Sequence, residues 1–336
     1  MNNDEMYQLV FETPAQLETA HGLEVPTLPP AEHIVLVGMG GSAMAAHAAT
    51  VAVSSSDAVV AVHQGYGLPD WAIARGATVV ACSYSGNTEE TADAVELATH
   101  AGLPVAVVTS GGRLLEWDGS AATVAIHPGL QPRAAIGLQT AAVIRILAAL
   151  GVADGWERAV DETAAILRVV LGNGDGAAVE LGRDLADGMR NATPLVVGGR
   201  GVAALAARRW VTQINENAKR AAFAAELPEM NHNLLEALAS AVVEPGRLGV
   251  VAMVDPEGHP RHQVRLEHTM SRLGQKVQSI GEVRAQGQHP LARLFSLVIV
   301  GDVASVALAD LLEIEAMSVD VLEDFKRAIA LREDQT

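Results

Sequence analysis

Two short stretches of this chain combine small residues and hydroxyls in a way that suits an anion. GMGGSA (38–43) closes the apolar run IVLVG, and SYSGNTEET (83–91) closes ATVVACS. A helix start leaves its first N–H groups without partners and carries the positive end of the helix dipole. Small residues there let a phosphate approach closely. Gly40, Gly41 and Ser42 supply one such set. Ser83, Ser85, Asn87 and Thr88 supply a second, with hydroxyl donors. Thr88 stands where a helix N-cap is expected, and Glu89 and Glu90 complement the dipole of the helix that follows. Singly, each stretch is an ordinary turn or cap. Together, at the ends of two strands, they form a cradle for a phosphate group.

GMGGSA also satisfies G-x-G-x-x-A, a weak signal for dinucleotide binding when it stands alone. A nicotinamide site wants an acid closing the second strand to hold the ribose hydroxyls. That strand ends His63-Gln64-Gly65, which disfavours a dehydrogenase and a redox cofactor. His259, His262, His268 and His289 are scattered without metal-ligand spacing, so no metal is expected.

The elements that position these loops follow from hydrophobic patterning. IVLVG (34–38), AVVAVHQ (58–64), ATVVACS (77–83), LPVAVVTS (103–110) and ATVAIHP (122–128) read as buried strands alternating with helices, the pattern of a parallel α/β layer fold. A second round begins near residue 190. VVGGRGVAALA (196–206) repeats the strand, glycine turn and helix of LVGMGGSAMAA (36–46), and residues 248–255, 276–282 and 294–302 read as further strands. A helical stretch, 152–187, joins the halves, and VDVLEDFKRAIALR closes the chain as a helix.

Bulk composition narrows the function. The 336 residues are 49% hydrophobic but only 3% aromatic, so the core is built from Ala, Val, Leu and Ile. The net charge of −17 disfavours nucleic acid and anionic membrane surfaces, which require clustered Lys and Arg. The N-terminus lacks a basic segment followed by an apolar one, and the apolar run near Leu294–Leu312 is interrupted by Asp302 and Asp310. The expectation is a cytoplasmic protein.

GMGGS and SYSGNTEET together resemble the sugar-isomerase (SIS) fold. QPRAA (131–135), RRWVTQINENAK (208–219) and ELPEMNHN (226–233) resemble the bifunctional phosphoglucose/phosphomannose isomerase family. The resemblance implies two tandem SIS-type doubly wound parallel-sheet (αβα sandwich) domains. They would run over 31–151 and 188–310, with an N-terminal arm (1–30), the connector (152–187) and a C-terminal helix (311–336). It implies an aldose–ketose isomerase that interconverts glucose 6-phosphate and fructose 6-phosphate, with mannose 6-phosphate as a second aldose, through an enediolate. That chemistry requires a carboxylate base, a donor for the developing oxyanion and a group that opens the sugar ring, and no metal or cofactor.

By the same resemblance Glu216 is the base, Arg133 stabilises the enediolate, His232 opens the ring and Lys326 assists it. Gly40, Gly41, Ser42, Ser83, Ser85 and Thr88 hold the phosphate. In relatives the His232 position reaches a neighbouring subunit, which implies a homodimer with a shared site. Spacing alone leaves blander readings open. Glu216 would pair with Lys219 or Arg220 one turn on, Arg133 would be a salt-bridge partner, and Lys326 would be a surface residue beside Glu323. A base working near neutrality needs partial burial, and Asn231 and Asn233 stand ready to fix the His232 tautomer. The chain departs from the family pattern at His47, Gly137 and Leu234, and room near C2 is expected around Ser318 and Val319. The alternative is a non-catalytic phosphosugar-sensing SIS protein, which keeps the serine loops and does not need Glu216 or His232.

Overall fold

Short β-branched runs that lead into glycine or serine form the strands His33–Val37, Thr78–Cys82, Val105–Thr109 and Thr193–Gly199. The computed structural model describes residues 3–333 apart from 55–56, 120–121, 241–247 and 275. The outermost residues of the expected arm and closing helix therefore lie outside the described residues. After helices α1 (Asp4–Phe11) and α2 (Thr13–Glu18) the first half runs β1 (His33–Val37), α3 (Gly40–Thr50), β2 (Val59–His63), α4 (Asp70–Ala74), β3 (Thr78–Cys82), α5 (Glu89–His100), β4 (Val105–Thr109), α6 (Gly112–Leu115) and β5 (Ala122–Ala125). Helices α7 (Ile136–Ala149), α8 (Trp156–Leu171) and α9 (Ala177–Met189) follow. The second half runs β6 (Thr193–Gly199), α10 (Val202–Asn217), β7 (Phe223–Leu227), α11 (Leu234–Ala239), β8 (Leu248–Val254), α12 (Pro260–Leu273), β9 (Ser279–Arg284), α13 (Pro290–Leu311) and α14 (Asp320–Glu333).

Both sheets are wholly parallel. The first has the order β2-β1-β3-β4-β5 and the second β7-β6-β8-β9. In each, the first strand of the half lies inside the sheet and the winding reverses beside it. The crevices between β1 and β3 and between β6 and β8 are thus topological switch points, where ligands of open α/β sheets bind at the carboxyl edge. β3 and β4 are buried along their whole length, as strands covered by helices on both faces must be.

Three stretches fold otherwise than their pattern suggests. Residues 294–302, expected as a strand, lie inside the 22-residue α13. A short apolar run has no periodicity that separates a strand from a helix buried on all sides. Here the flanks decide it: the His289 ring caps the first turn and Pro290 opens the helix. α13 packs against α8, α9 and α10, and its most apolar window is 89% buried within the protein. Gly301 makes room for a neighbour, since a Cβ there would lie 2.2 Å from the Trp210 indole nitrogen. β7, a half-exposed edge strand, carries no β-branched residue and so escapes the pattern of buried strands. The polar-looking first residues form α1 and α2, which bury Met6, Val10 and Leu17.

Candidate active site

The phosphate cradle is assembled by glycines that let backbones touch. A Cβ on Gly38 would lie 2.7 Å from the Cys82 carbonyl oxygen, so the ends of β1 and β3 meet only because that side chain is missing. A Cβ on Gly41 would lie 3.0 Å from the Pro132 carbonyl oxygen and 3.1 Å from the Arg133 Cα. The start of α3 therefore abuts the loop that carries Arg133. Gly86 adopts φ +67, and a Cβ there would fall 1.8 Å from the Gly111 carbonyl oxygen, so the turn after Ser85 requires glycine.

The hydroxyls divide into those turned inward and those left open. Ser42 Oγ donates to Gln139 Oε1 at 2.6 Å and accepts from the Tyr84 N–H at 3.2 Å, while the Ser42 N–H donates to the Met39 carbonyl. Read from sequence as a phosphate ligand, Ser42 thus has both its donors engaged within the chain, where it joins β1, β3 and α7. Ser83 is 1% exposed; its Oγ lies 2.9 Å from Thr88 Oγ1 and accepts from the Gly86 N–H. Thr88 is the N-cap residue of α5, but its hydroxyl bonds Ser83 rather than capping the helix. Ser85 is exposed, and its Oγ accepts from the Asn87 N–H at 3.3 Å. Cys82 is a buried strand residue whose thiol burial pushes up to about 12.

Glu216 and Arg133 meet where α10 finishes. Glu216 is 27% exposed and its Oε2 stands 3.7 Å from Nη1 of the buried Arg133. Neither of the partners that spacing offers Glu216 takes it. Lys219, at φ +49, donates to the main-chain carbonyls of Glu315 at 2.6 Å and Ser318 at 2.8 Å, and Arg220 donates to that of Arg190. Arg133 is held from every side. Its Nε donates to Asn217 Oδ1 at 2.8 Å, its Nη2 to the Ala316 carbonyl at 2.7 Å and its Nη1 to Gln131 Oε1 at 3.3 Å. Burial lowers its pKa from the usual guanidinium value, with Glu216 opposing and Arg209 adding to the shift. Burial likewise lowers the Lys219 ammonium, and Arg133 lowers it further.

The structure brings together the segments that carry Gly40, Gly41, Ser42, Ser83, Ser85, Thr88, Arg133 and Glu216: the start of α3 meets the loop after β3 and the Arg133 loop, and Arg133 faces Glu216 at the end of α10. His232 ends a single turn of 3-10 helix after β7 and is exposed, and Lys326 lies on α14, exposed along residues 320–329. Among the described residues, no hydrogen bond or ion pair joins either to Glu216 or Arg133. The flanking asparagines do not fix the His232 ring: Asn231 donates to Thr269, and Asn233 donates to Glu229 and accepts from Leu234.

Sequence reasoning missed Asn217, Gln131 and Gln139, which hold the named groups. Asn217 adjoins Glu216 in the same motif, a signal within reach; nothing local marks Gln139. The Gly137 departure has a physical reason. The Gly137 N–H donates to Gln16 Oε1, a Cβ there would lie 2.6 Å from Gln16 Cβ, and Gln16 in turn donates to the Ala134 carbonyl beside Arg133.

Comparison with known proteins places the chain in a family. Residues 27–113 match the SIS domain, and residues 178–329 match the bacterial phospho-glucose isomerase C-terminal SIS domain. A bifunctional phosphoglucose/phosphomannose isomerase of Caldicellulosiruptor bescii is 31% identical over 97% of this chain and 99% of its own. This chain belongs to the bifunctional phosphoglucose/phosphomannose isomerase family. A namesake from Thermoplasma acidophilum is 31% identical over 89% of the chain and 90% of its own. Among solved structures, the C-terminal domain of glucosamine-fructose-6-phosphate aminotransferase from Francisella tularensis superposes with a TM-score of 0.69 at 14% identity, covering 94% of this chain and 99% of that one. Tagatose-6-phosphate ketose/aldose isomerase from Escherichia coli superposes at 0.61 with 15% identity, covering 92% and 94%. Those likenesses bear on the fold, which is the tandem SIS arrangement of two parallel-sheet α/β units. By family the chain is an isomerase.

Proposed function

We propose that this protein interconverts glucose 6-phosphate and fructose 6-phosphate, with mannose 6-phosphate as a second aldose. A proton moves between C1 and C2 through an enediolate. The observation that carries the reading is the half-buried Glu216 carboxylate 3.7 Å from the buried Arg133 guanidinium, on a loop packed against the phosphate cradle through Gly41. Arg133 stays charged and presents Nη1 on the side of the carboxylate, where oxyanion charge would develop during proton abstraction. Gly40 and Gly41 main-chain donors, Ser83, Ser85 and Thr88 hold the phosphate, with Ser42 backing the cradle.

His232 opens the ring from a second copy of the chain, and Lys326 assists it. Two features support a homodimer with shared sites. Among the described residues neither bonds Glu216 within one chain, and α14 exposes Val321 at 81%, Phe325 at 63% and Leu322 at 46%, an apolar stripe that a second copy would cover. The protein would act in the cytoplasm. A coupled assay starting from fructose 6-phosphate, reading glucose 6-phosphate and mannose 6-phosphate separately, tests the activity. Tight binding of both hexose phosphates without turnover would make this a phosphosugar sensor instead.

A further inference from the structure

The hydrogen bonds around Arg133 close on themselves. Arg133 Nε donates to Asn217 Oδ1 at 2.8 Å, and Asn217 Nδ2 donates to Ser305 Oγ at 2.9 Å. Ser305 Oγ donates to the Asp302 carbonyl at 2.7 Å. The Asp302 carboxylate takes both Nε and Nη2 of Arg209, at 3.1 and 2.9 Å. Arg209 Nη2 returns to the Arg133 carbonyl at 2.7 Å. We infer that Asn217, Ser305, Asp302 and Arg209 are positioning residues that fix the side chain and the main chain of Arg133 at once.

Each link has a reason. Arg209 and Asn217 are eight residues apart on α10, two turns on one face, and Asp302 and Ser305 are three apart on the facing side of α13. Ser305 already donates to the Asp302 carbonyl, so toward Asn217 it can only accept. That turns the Asn217 amide nitrogen to Ser305 and leaves its oxygen for Arg133. Asn217, Ser305, Arg209, Asp302 and Arg133 are exposed by 0, 0, 1, 2 and 3%. Apolar residues of similar volume would stabilise such a core as well as a buried ion pair does, so stability alone does not require this ring. It does set where Nη1 points, and Glu216 is the neighbour of Asn217 in the chain. The base and the anchor of the oxyanion donor thus move as one piece of α10.

The inference rests on the reading of Arg133 as oxyanion donor, and the test separates the two. Turnover of fructose 6-phosphate is measured for the wild type, Glu216→Gln, Ser305→Ala, Asn217→Asp, Arg133→Lys and the Arg133→Lys/Ser305→Ala pair. With the ring positioning Arg133, Ser305→Ala lowers kcat about tenfold and leaves KM within about twofold, since only transition-state contacts weaken. The same change costs nothing further in the Arg133→Lys background. Asn217→Asp keeps the acceptor for Arg133 but loses the donor to Ser305 and adds a competing charge. Its kcat falls further, and it serves as the second variant if Ser305→Ala does not fold. Wild-type kcat in both Ser305→Ala and Asn217→Asp overturns the inference, as does an equal Ser305→Ala loss in both backgrounds. An inactive wild type, or an active Glu216→Gln, overturns the functional reading itself.

Discussion

The two halves of the chain repeat one topology, yet among the described residues their switch points are lined differently, and the first is the one proposed to take an anion. Between β1 and β3, glycines admit neighbouring backbones, and the loops carry Ser83, Ser85 and Thr88. The corresponding edge between β6 and β8 is filled. The His262 ring lies over Gly199, where a Cβ would come within 2.8 Å of the His262 side chain. Asp255 is neutralised by Arg293 at 2.9 Å, Arg200 turns outward at 81% exposure, and the remaining cavity is about 20 Å³, room for roughly one water. A switch point provides a place; hydroxyls, free N–H groups and small residues make it a site.

The contrast can be broken at its strongest point first. Glu216→Gln should reduce turnover by about a thousandfold or more, the scale of a lost general base, while fructose 6-phosphate binding by calorimetry stays within a few fold. Ser85→Ala should raise KM about tenfold with kcat nearly unchanged, the loss of one ground-state hydrogen bond to an anion. Ser83→Ala should do the same and also lower the melting temperature, because its hydroxyl is buried and bonded to Thr88 and Gly86. Arg200→Ser in the second crevice should shift KM less than about twofold, the margin of a lost distant, screened charge. A larger shift would mean that the second crevice takes part in binding.

Acid sharpens the comparison across the halves. Burial holds His47, His262 and His289 below the ordinary histidine value of 6.5. The unfolded chain therefore binds more protons than the folded one as pH falls below that value. Stability is fully present above pH 6.5 and declines as pH drops toward the depressed folded values. Melting temperature should fall between about pH 7.5 and 5.5, and His47→Gln should flatten part of that fall.

Legibility followed the range of the interactions. The glycine turns, the hydroxyl loop and all five first-half strands stand in local patterns of a few residues, and so does the carboxylate next to Asn217. The nature of α13 was not legible locally, because a helix apolar on every face looks like a buried strand until its neighbours are known. The hold on Arg133 was equally hidden, since it joins residues 84 and 183 positions apart in the chain. His232 and Lys326 carry no mark at all of which chain they would serve.

α13 also orders events during synthesis. α8, α9 and α10 are translated before it, and each turns an apolar side toward the space it will occupy. That side stays wet until Leu311 has cleared the ribosome, so the second half completes its fold only once α13 has emerged. A stalled chain lacking α13 would be a natural client for chaperones.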